Sequence, residues 1–157
     1  MSIEANKALV RRYYEDAPYH PEVCDEIFAP QIRWQPIQHI TLNHSNAVST
    51  PEDEKAAYAW NKAVWGNWPE TIDEMIAEGD QVMVRWTFCG AQQGEFFGLP
   101  PTNKSVTYAG ITIFRIVAGK ITEIQNIADR LWMWQQLGVL PETKNFIAQA
   151  RTAMTTQ

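Results

Sequence analysis

Two hydrophobic periods divide the chain. Leu9, Val10, Tyr13, Tyr14 and Ala17 recur at three- and four-residue intervals, the spacing of one helix face. Ser2 can cap that helix, and Pro18 ends it. Pro21 suits the first turn of a short second helix carrying Val23, Ile27 and Phe28. The stretch QIRWQPI, residues 31–37, reads as a short strand broken by Pro36. Residues 38–54 are polar and turn-rich and read as a loop. At its end Thr50, Pro51 and Asp53 have the spacing of a helix cap, a first-turn proline and a capping-box carboxylate. The helix that follows is predicted to show Ala56, Trp60, Ala63 and Val64 on one face, with Gly66 at its C-terminal end.

Beyond Gly66 the period becomes two. TIDEMIAEGDQVMVRWTFCG, 71–90, reads as two strands joined at EGD, and SVTYAGITIFRIVAGKITEIQNIAD, 105–129, as two more joined at AGK. Both are rich in Val, Ile, Thr and aromatics, residues that suit a pleated, half-buried surface. Between them lies the Gly/Pro loop QQGEFFGLPPTNK, 92–104. A short helix follows Asp129, Gly138 suits its end, and Pro141 opens a C-terminal helix. Helices, then an antiparallel meander, then helices predict one α+β domain over 1–157. A highly curved antiparallel sheet is expected to wrap around the N-terminal helices and leave a pocket.

Composition removes several functions. The net charge is −5 and no basic run occurs, so no nucleic acid is expected as a partner. No apolar run approaches the ~20 residues of a membrane span, and MSIEANKALVRRYY lacks a signal-peptide pattern. Cys24 and Cys89 are too few for a disulfide scaffold and fit a cytoplasmic protein with free thiols. His20, His39 and His44 show no metal spacing. Neither a phosphate loop nor G-x-S-x-G appears, so no metal and no cofactor is expected. Seven Trp, six Phe and five Tyr allow either a Trp-rich core or interface, or a lined pocket.

The second half carries a resemblance. Gly94, Phe96, Gly98, Pro100, Pro101, Thr102 and Lys104 are followed by Phe114, Arg115, Ile116, Gly119, Lys120, Ile121, Glu123, Asp129, Gln136, Leu137 and Gly138. With the hairpin IAEGDQVMVRWT, this order resembles the SnoaL-like polyketide cyclase family of the nuclear transport factor 2-like (cystatin-like) superfamily. The likeness is strongest over about residues 70–140. It implies a cone-shaped α+β barrel with a deep apolar cavity and an acid/base aspartate on the last strand, at Asp129. It also implies a cofactor-independent intramolecular aldol ring closure on a polyketide ester, and a homodimer paired through the outer sheet face. Superfamily relatives hydrolyse epoxides, isomerise rings or only bind. Gln92 stands where the family often has His, Gln125 where it has Trp, and Asn103 where Gly is common.

Strand alternation puts Ile121, Glu123, Gln125, Ile127 and Asp129 on one face. If that face is the cavity wall, burial raises Asp129 above the usual ~3.9, into the range where one carboxylate can take and return a proton. The competing reading makes Asp129 the cap of the helix at Arg130. Around Asp129 the candidate substrate-binding residues are Tyr14, Trp34, His39, Trp65, Gln92, Phe97, Phe114 and Gln125. The aromatics serve equally as core, and His39 and His44 equally as solvated loop residues. Glu123, Arg85 and Arg115 suit ion pairs. The expected function is a cyclase or isomerase acting on a hydrophobic, polyketide-like small molecule. An epoxide hydrolase and a non-catalytic binding module remain as alternatives.

Overall fold

The computed structural model describes residues 2–36, 48–66 and 70–155. Ser2 accepts the amide of Ala5 at 3.2 Å and starts α1 (Ile3–Glu15), which buries Leu9, Val10, Tyr13 and Tyr14. The short α2 (Val23–Ile27) leads into β1 (Phe28–Pro36). After β2 (Val48–Ser49), Thr50 and Asp53 bond each other's backbone amides at 2.8 and 3.3 Å and open α3 (Pro51–Trp65). This reciprocal cap satisfies donors that a helix start otherwise leaves bare. Four long strands follow: β3 (Glu70–Glu78), β4 (Gln81–Ala91), β5 (Ser105–Val117) and β6 (Lys120–Ala128). The chain continues into α4 (Arg130–Leu137) and α5 (Thr143–Thr155).

Among the described residues six strands form one sheet, in the order β2-β1-β6-β5-β4-β3. Its inner face packs on α1 and α3, so the α+β architecture has the curved sheet around N-terminal helices that the pattern implied. The EGD and AGK hairpins form, with turns at Gly79–Asp80 and Ala118–Gly119.

Three local expectations are corrected. Phe28 opens β1 instead of closing α2, and β1 runs parallel to β6. A parallel partner requires a long crossover, here everything from α3 to β5, so local pattern carries no sign of it. On α3 the buried residues are Glu54, Tyr58, Val64 and Trp65, while Ala56 and Ala63 are exposed. Polar partners draw two of them inward: Tyr58 donates to the Tyr13 carbonyl at 3.0 Å, and Glu54 accepts two side-chain donors. Finally, β6 is bulged. Arg115 pairs with Glu123 but Ile116 pairs with Ile121, which leaves Thr122 as the extra residue. Such a bulge reverses the facing of the residues beyond it. Ile121 and Ile124, three apart, are therefore both buried.

The loop 92–104 is built around Gln92, which has no exposed surface. Its amide donates to the carbonyls of Gly94, Leu99 and Pro100 at 3.0–3.3 Å. Its oxygen accepts Thr102 N at 3.2 Å and Thr102 Oγ1 at 2.6 Å. Gly94 lies on the end of α3, where a Cβ would stand 2.3 Å from the Ala63 carbonyl. Phe96 fills the space beneath, stacked on Trp134 at 5.1 Å and edge-on to Trp65 at 5.1 Å.

Candidate active site on the inner face of the sheet

Cross-strand register arranges the inner face in tiers. Glu70, Phe88 and Tyr108 form the first; Ile72, Trp86, Gly110 and Ala128 the second. Val84, Thr112 and Asn126 form the third; Val82, Phe114, Ile124 and Trp34 the fourth. Directly opposed residues share a face, and in every tier the β4 and β5 members are buried.

The middle tiers make a polar floor. Gly110 has no side chain, and the Trp86 indole lies in that place; a Cβ there would be 2.2 Å from Trp86 Cζ2. From this position Trp86 Nε1 donates to Thr112 Oγ1 at 2.9 Å. Asn126 Nδ2 donates to the same oxygen at 2.9 Å. Tyr14 of α1, only 3% exposed, brings its hydroxyl beside Thr112. Among the described residues that hydroxyl is buried without a hydrogen-bond partner, an arrangement that costs about 1–3 kcal/mol.

The first tier carries charge. Glu70 is half-buried, opposite the fully packed Phe88, which stacks on Tyr108 at 4.8 Å. Protein atoms crowd the carboxyl, and the loss of hydration pushes Glu70 up to about 8; the Arg130 charge opposes this. Arg130 turns in from the start of α4. Its Cζ stands 5.6 Å from the centre of the Tyr108 ring, within cation–π range, and Nη1 donates to the Tyr108 hydroxyl at 3.4 Å. Burial pushes Tyr108 up to about 12, against the pull of Arg130. Burial likewise raises Tyr13, Tyr14 and Tyr58.

Glu54, 4% exposed, is a second inward carboxylate. It accepts Trp34 Nε1 and Ser49 Oγ, both at 2.7 Å. Desolvation raises its proton affinity and these two donors lower it. Hydropathy reading missed both Glu70 and Glu54, because a carboxylate within an alternating or helical pattern counts as surface. The signal available for Glu70 was its place two residues before Ile72, on the same strand face.

The residues singled out from sequence separate. Tyr14 reaches the polar floor, Phe114 and Trp34 belong to the fourth tier, and Trp65 packs beneath the loop against Phe88 at 5.1 Å. Phe114 is fully buried against Tyr13 and Tyr14, so it is core. Gln92 spends its amide on its own loop. Phe97 is 46% exposed and packs outside, on Trp60 at 5.3 Å. Gln125 lies on the outer face, bonded to Glu123 at 2.7 Å. His39 and His44 lie outside the described residues. Asp129 is exposed, and its carboxylate accepts the Trp132 amide at 3.0 Å as the cap of α4. The bulge at Thr122 turns Glu123, Gln125 and Ile127 outward and brings Asn126 in. The buried setting expected for Asp129 is thus corrected; its neighbour Arg130 is the residue that turns inward.

Among the described residues no group of three or more His, Cys, Asp and Glu gathers to hold a metal ion. A separate open groove of about 440 Å3 lies on the outside between Asp25, Phe28, Pro51 and Lys120. Lys120 Nζ already donates there to the carbonyls of Asp25 and Glu26, at 3.0 and 2.6 Å.

The model of the SnoaL-like polyketide cyclase family matches residues 8–137. Aklanonic acid methyl ester cyclase DnrD of Streptomyces peucetius is 29% identical over 132 residues, 83% of this chain and 88% of that protein. Aklanonic acid methyl ester cyclase DauD of Streptomyces sp. strain C5 is also 29% identical, over 83% of this chain and 80% of its own. The structure of TsrD from Streptomyces laurentii superposes with a TM-score of 0.74 at 24% identity, covering 89% of this chain and 99% of TsrD. That last likeness is one of fold.

Proposed function

Because the chain belongs to the SnoaL-like polyketide cyclase family, we propose that it closes a ring in a hydrophobic polyketide ester by cofactor-independent acid/base chemistry on the inner face of its sheet. The observation that carries this reading is the buried Tyr14 hydroxyl beside Thr112, a hydroxyl with no hydrogen-bond partner among the described residues. A substrate carbonyl accepting that hydroxyl would satisfy it. Removal of a proton next to the carbonyl turns its oxygen into an enolate, and the tyrosine donor then strengthens its bond to the growing charge. The aromatic and aliphatic tiers supply apolar surface for the body of the substrate.

The curated relatives' names suggest the probe. Purified protein is incubated with aklanonic acid methyl ester, and ring closure is followed by chromatography and absorbance. Conversion without added cofactor is expected. Tyr14→Phe should lower kcat by about 100-fold, the scale of one lost oxyanion donor. It should leave stability unchanged or slightly higher, because an unsatisfied group is removed. No conversion of this ester or of a panel of related polyketide esters would leave the second reading, a non-catalytic binding module. Favouring that one is the Asp129 carboxylate, which meets the Trp132 backbone amide at the surface.

The same reading includes a cytoplasmic site of action and a homodimer. Ile111, Ile113 and Ile127 are partly exposed on the outer sheet face and would lie in the interface. Among the described residues no helix is long and apolar enough to cross a membrane. Sedimentation at several concentrations tests the dimer; a monomer throughout would remove it.

A further inference from the structure

We infer that Glu70 is the catalytic acid/base of this site, with Arg130 as the cation that keeps its carboxylate poised; this rests on the ring-closing reading above. The position follows from elimination and from geometry. Glu54 is sealed from solvent and holds two donors. Glu123 lies on the outer face, bonded to Gln125 and 3.9 Å from Arg115. Asp129 caps a helix in solvent.

Glu70 differs from all three. It faces inward opposite Phe88 and keeps part of its surface open, and among the described residues its carboxyl makes no hydrogen bond. Its charge is felt by the hydroxyls of Tyr13 and Tyr14 from α1, Tyr58 from α3 and Tyr108 from β5. From α4 the guanidinium of Arg130 opposes it. On β4 its register partner is Phe88. Register sets Glu70 on the inner face in one tier with Phe88 and Tyr108, and Tyr14 lies beside Thr112 further along the same face.

The step balances on these groups alone. The Glu70 carboxylate takes the proton from a C–H between two carbonyls, leaving a neutral carboxyl and an enolate whose oxygen accepts from Tyr14. The enolate carbon attacks a ketone carbon of the same molecule. A C–C bond forms, the C=O π bond breaks, and an alkoxide results. Glu70 returns its proton to the alkoxide and is again a carboxylate. No oxidant or co-reactant is consumed.

The test compares wild type, Glu70→Gln and Glu70→Asp, each checked for folding by circular dichroism. With aklanonic acid methyl ester, Glu70→Gln should lose at least 100-fold in kcat, within the 10²–10⁴ range of general acid–base catalysis, with KM within about threefold. Glu70→Asp should recover part of that loss. The wild-type kcat should rise with pH through a midpoint near 8, and this limb should vanish in Glu70→Gln. A Glu70→Gln enzyme within threefold of wild type in kcat would overturn the inference while leaving the cyclase reading intact. If wild type does not convert the ester, the cyclase reading fails, and deuterium exchange into ethyl 2-methylacetoacetate decides the role of Glu70. Faster exchange with wild type and Glu70→Asp than with Glu70→Gln supports it; equal rates overturn it.

Discussion

Gly110→Ala probes the floor of the site directly. The new Cβ would stand 2.2 Å from Trp86 Cζ2 and 2.7 Å from both Cε2 and Cη2. Carbon atoms in contact prefer about 3.5–4.0 Å, so the indole must move by more than an ångström. It has little room: Trp86 is 2% exposed, lies edge-on to Tyr108 at 5.9 Å, and is bonded to Thr112. Overpacking of this kind costs about 1–3 kcal/mol. Loss of the Trp86–Thr112 bond adds about 1 kcal/mol, and replacing glycine in a strand returns about 0.5 kcal/mol. The expected destabilisation is about 2–3 kcal/mol, read by urea unfolding followed by circular dichroism. Because the cost comes from one contact, Gly110→Ala and Trp86→Leu should be strongly non-additive, with the double variant losing at least about 1.5 kcal/mol less than the sum. A Gly110→Ala protein within about 0.5 kcal/mol of wild type, or additivity in the cycle, would refute the packing described.

Three further outcomes follow from single contacts. Folded Glu70 keeps its proton to about 8 against an ordinary 4.5, so the folded chain binds more protons between those values and stability falls as pH rises through that window. At ~1.36 kcal/mol per pH unit the ceiling is about 5 kcal/mol; screening at its open side leaves about 2 kcal/mol. Glu70→Gln should flatten the urea-unfolding profile between pH 5 and 8.5, and coincident profiles would contradict the desolvated carboxyl. Asp129→Ala should cost about 1 kcal/mol for the lost cap and leave turnover unchanged; a tenfold loss of kcat in the folded variant would restore a catalytic role to Asp129. Gln92→Leu takes the side-chain partner from the Gly94 and Pro100 carbonyls and from two Thr102 donors, while Leu99 keeps the Phe96 amide; it should cost about 3 kcal/mol, seen in thermal melting, whereas an unchanged midpoint would mean that the loop holds itself.

What was legible in the sequence was local. Ser2, the Thr50–Asp53 pair and the two glycine-bearing hairpin turns act over three or four residues, and each formed as read. The cap reading of Asp129 was local too, and it is what the structure has. The inward reading of Asp129 assumed unbroken alternation from Ile121 onward, and the bulge at Thr122 broke it. Ile121 and Ile124, both apolar and three apart, were the available warning. The pairing of β1 with β6 joins residues about ninety positions apart and has no local trace. Glu70 and Glu54 were hidden because inward carboxylates look like surface in any hydropathy pattern. Gln92 stands at a position where the family often has His; its role as the clasp of its own loop depends on carbonyls that only the folded turn brings together.

The most direct measurement is a crystal structure with a β-keto ester analogue or the cyclised product bound. The account expects the ligand against the inner face of the sheet, its carbonyl oxygen about 3 Å from the Tyr14 hydroxyl and its acidic carbon toward Glu70. A ligand seated beside Asp129, or in the outer groove by Lys120 with the Tyr14 hydroxyl still unpartnered, would contradict it.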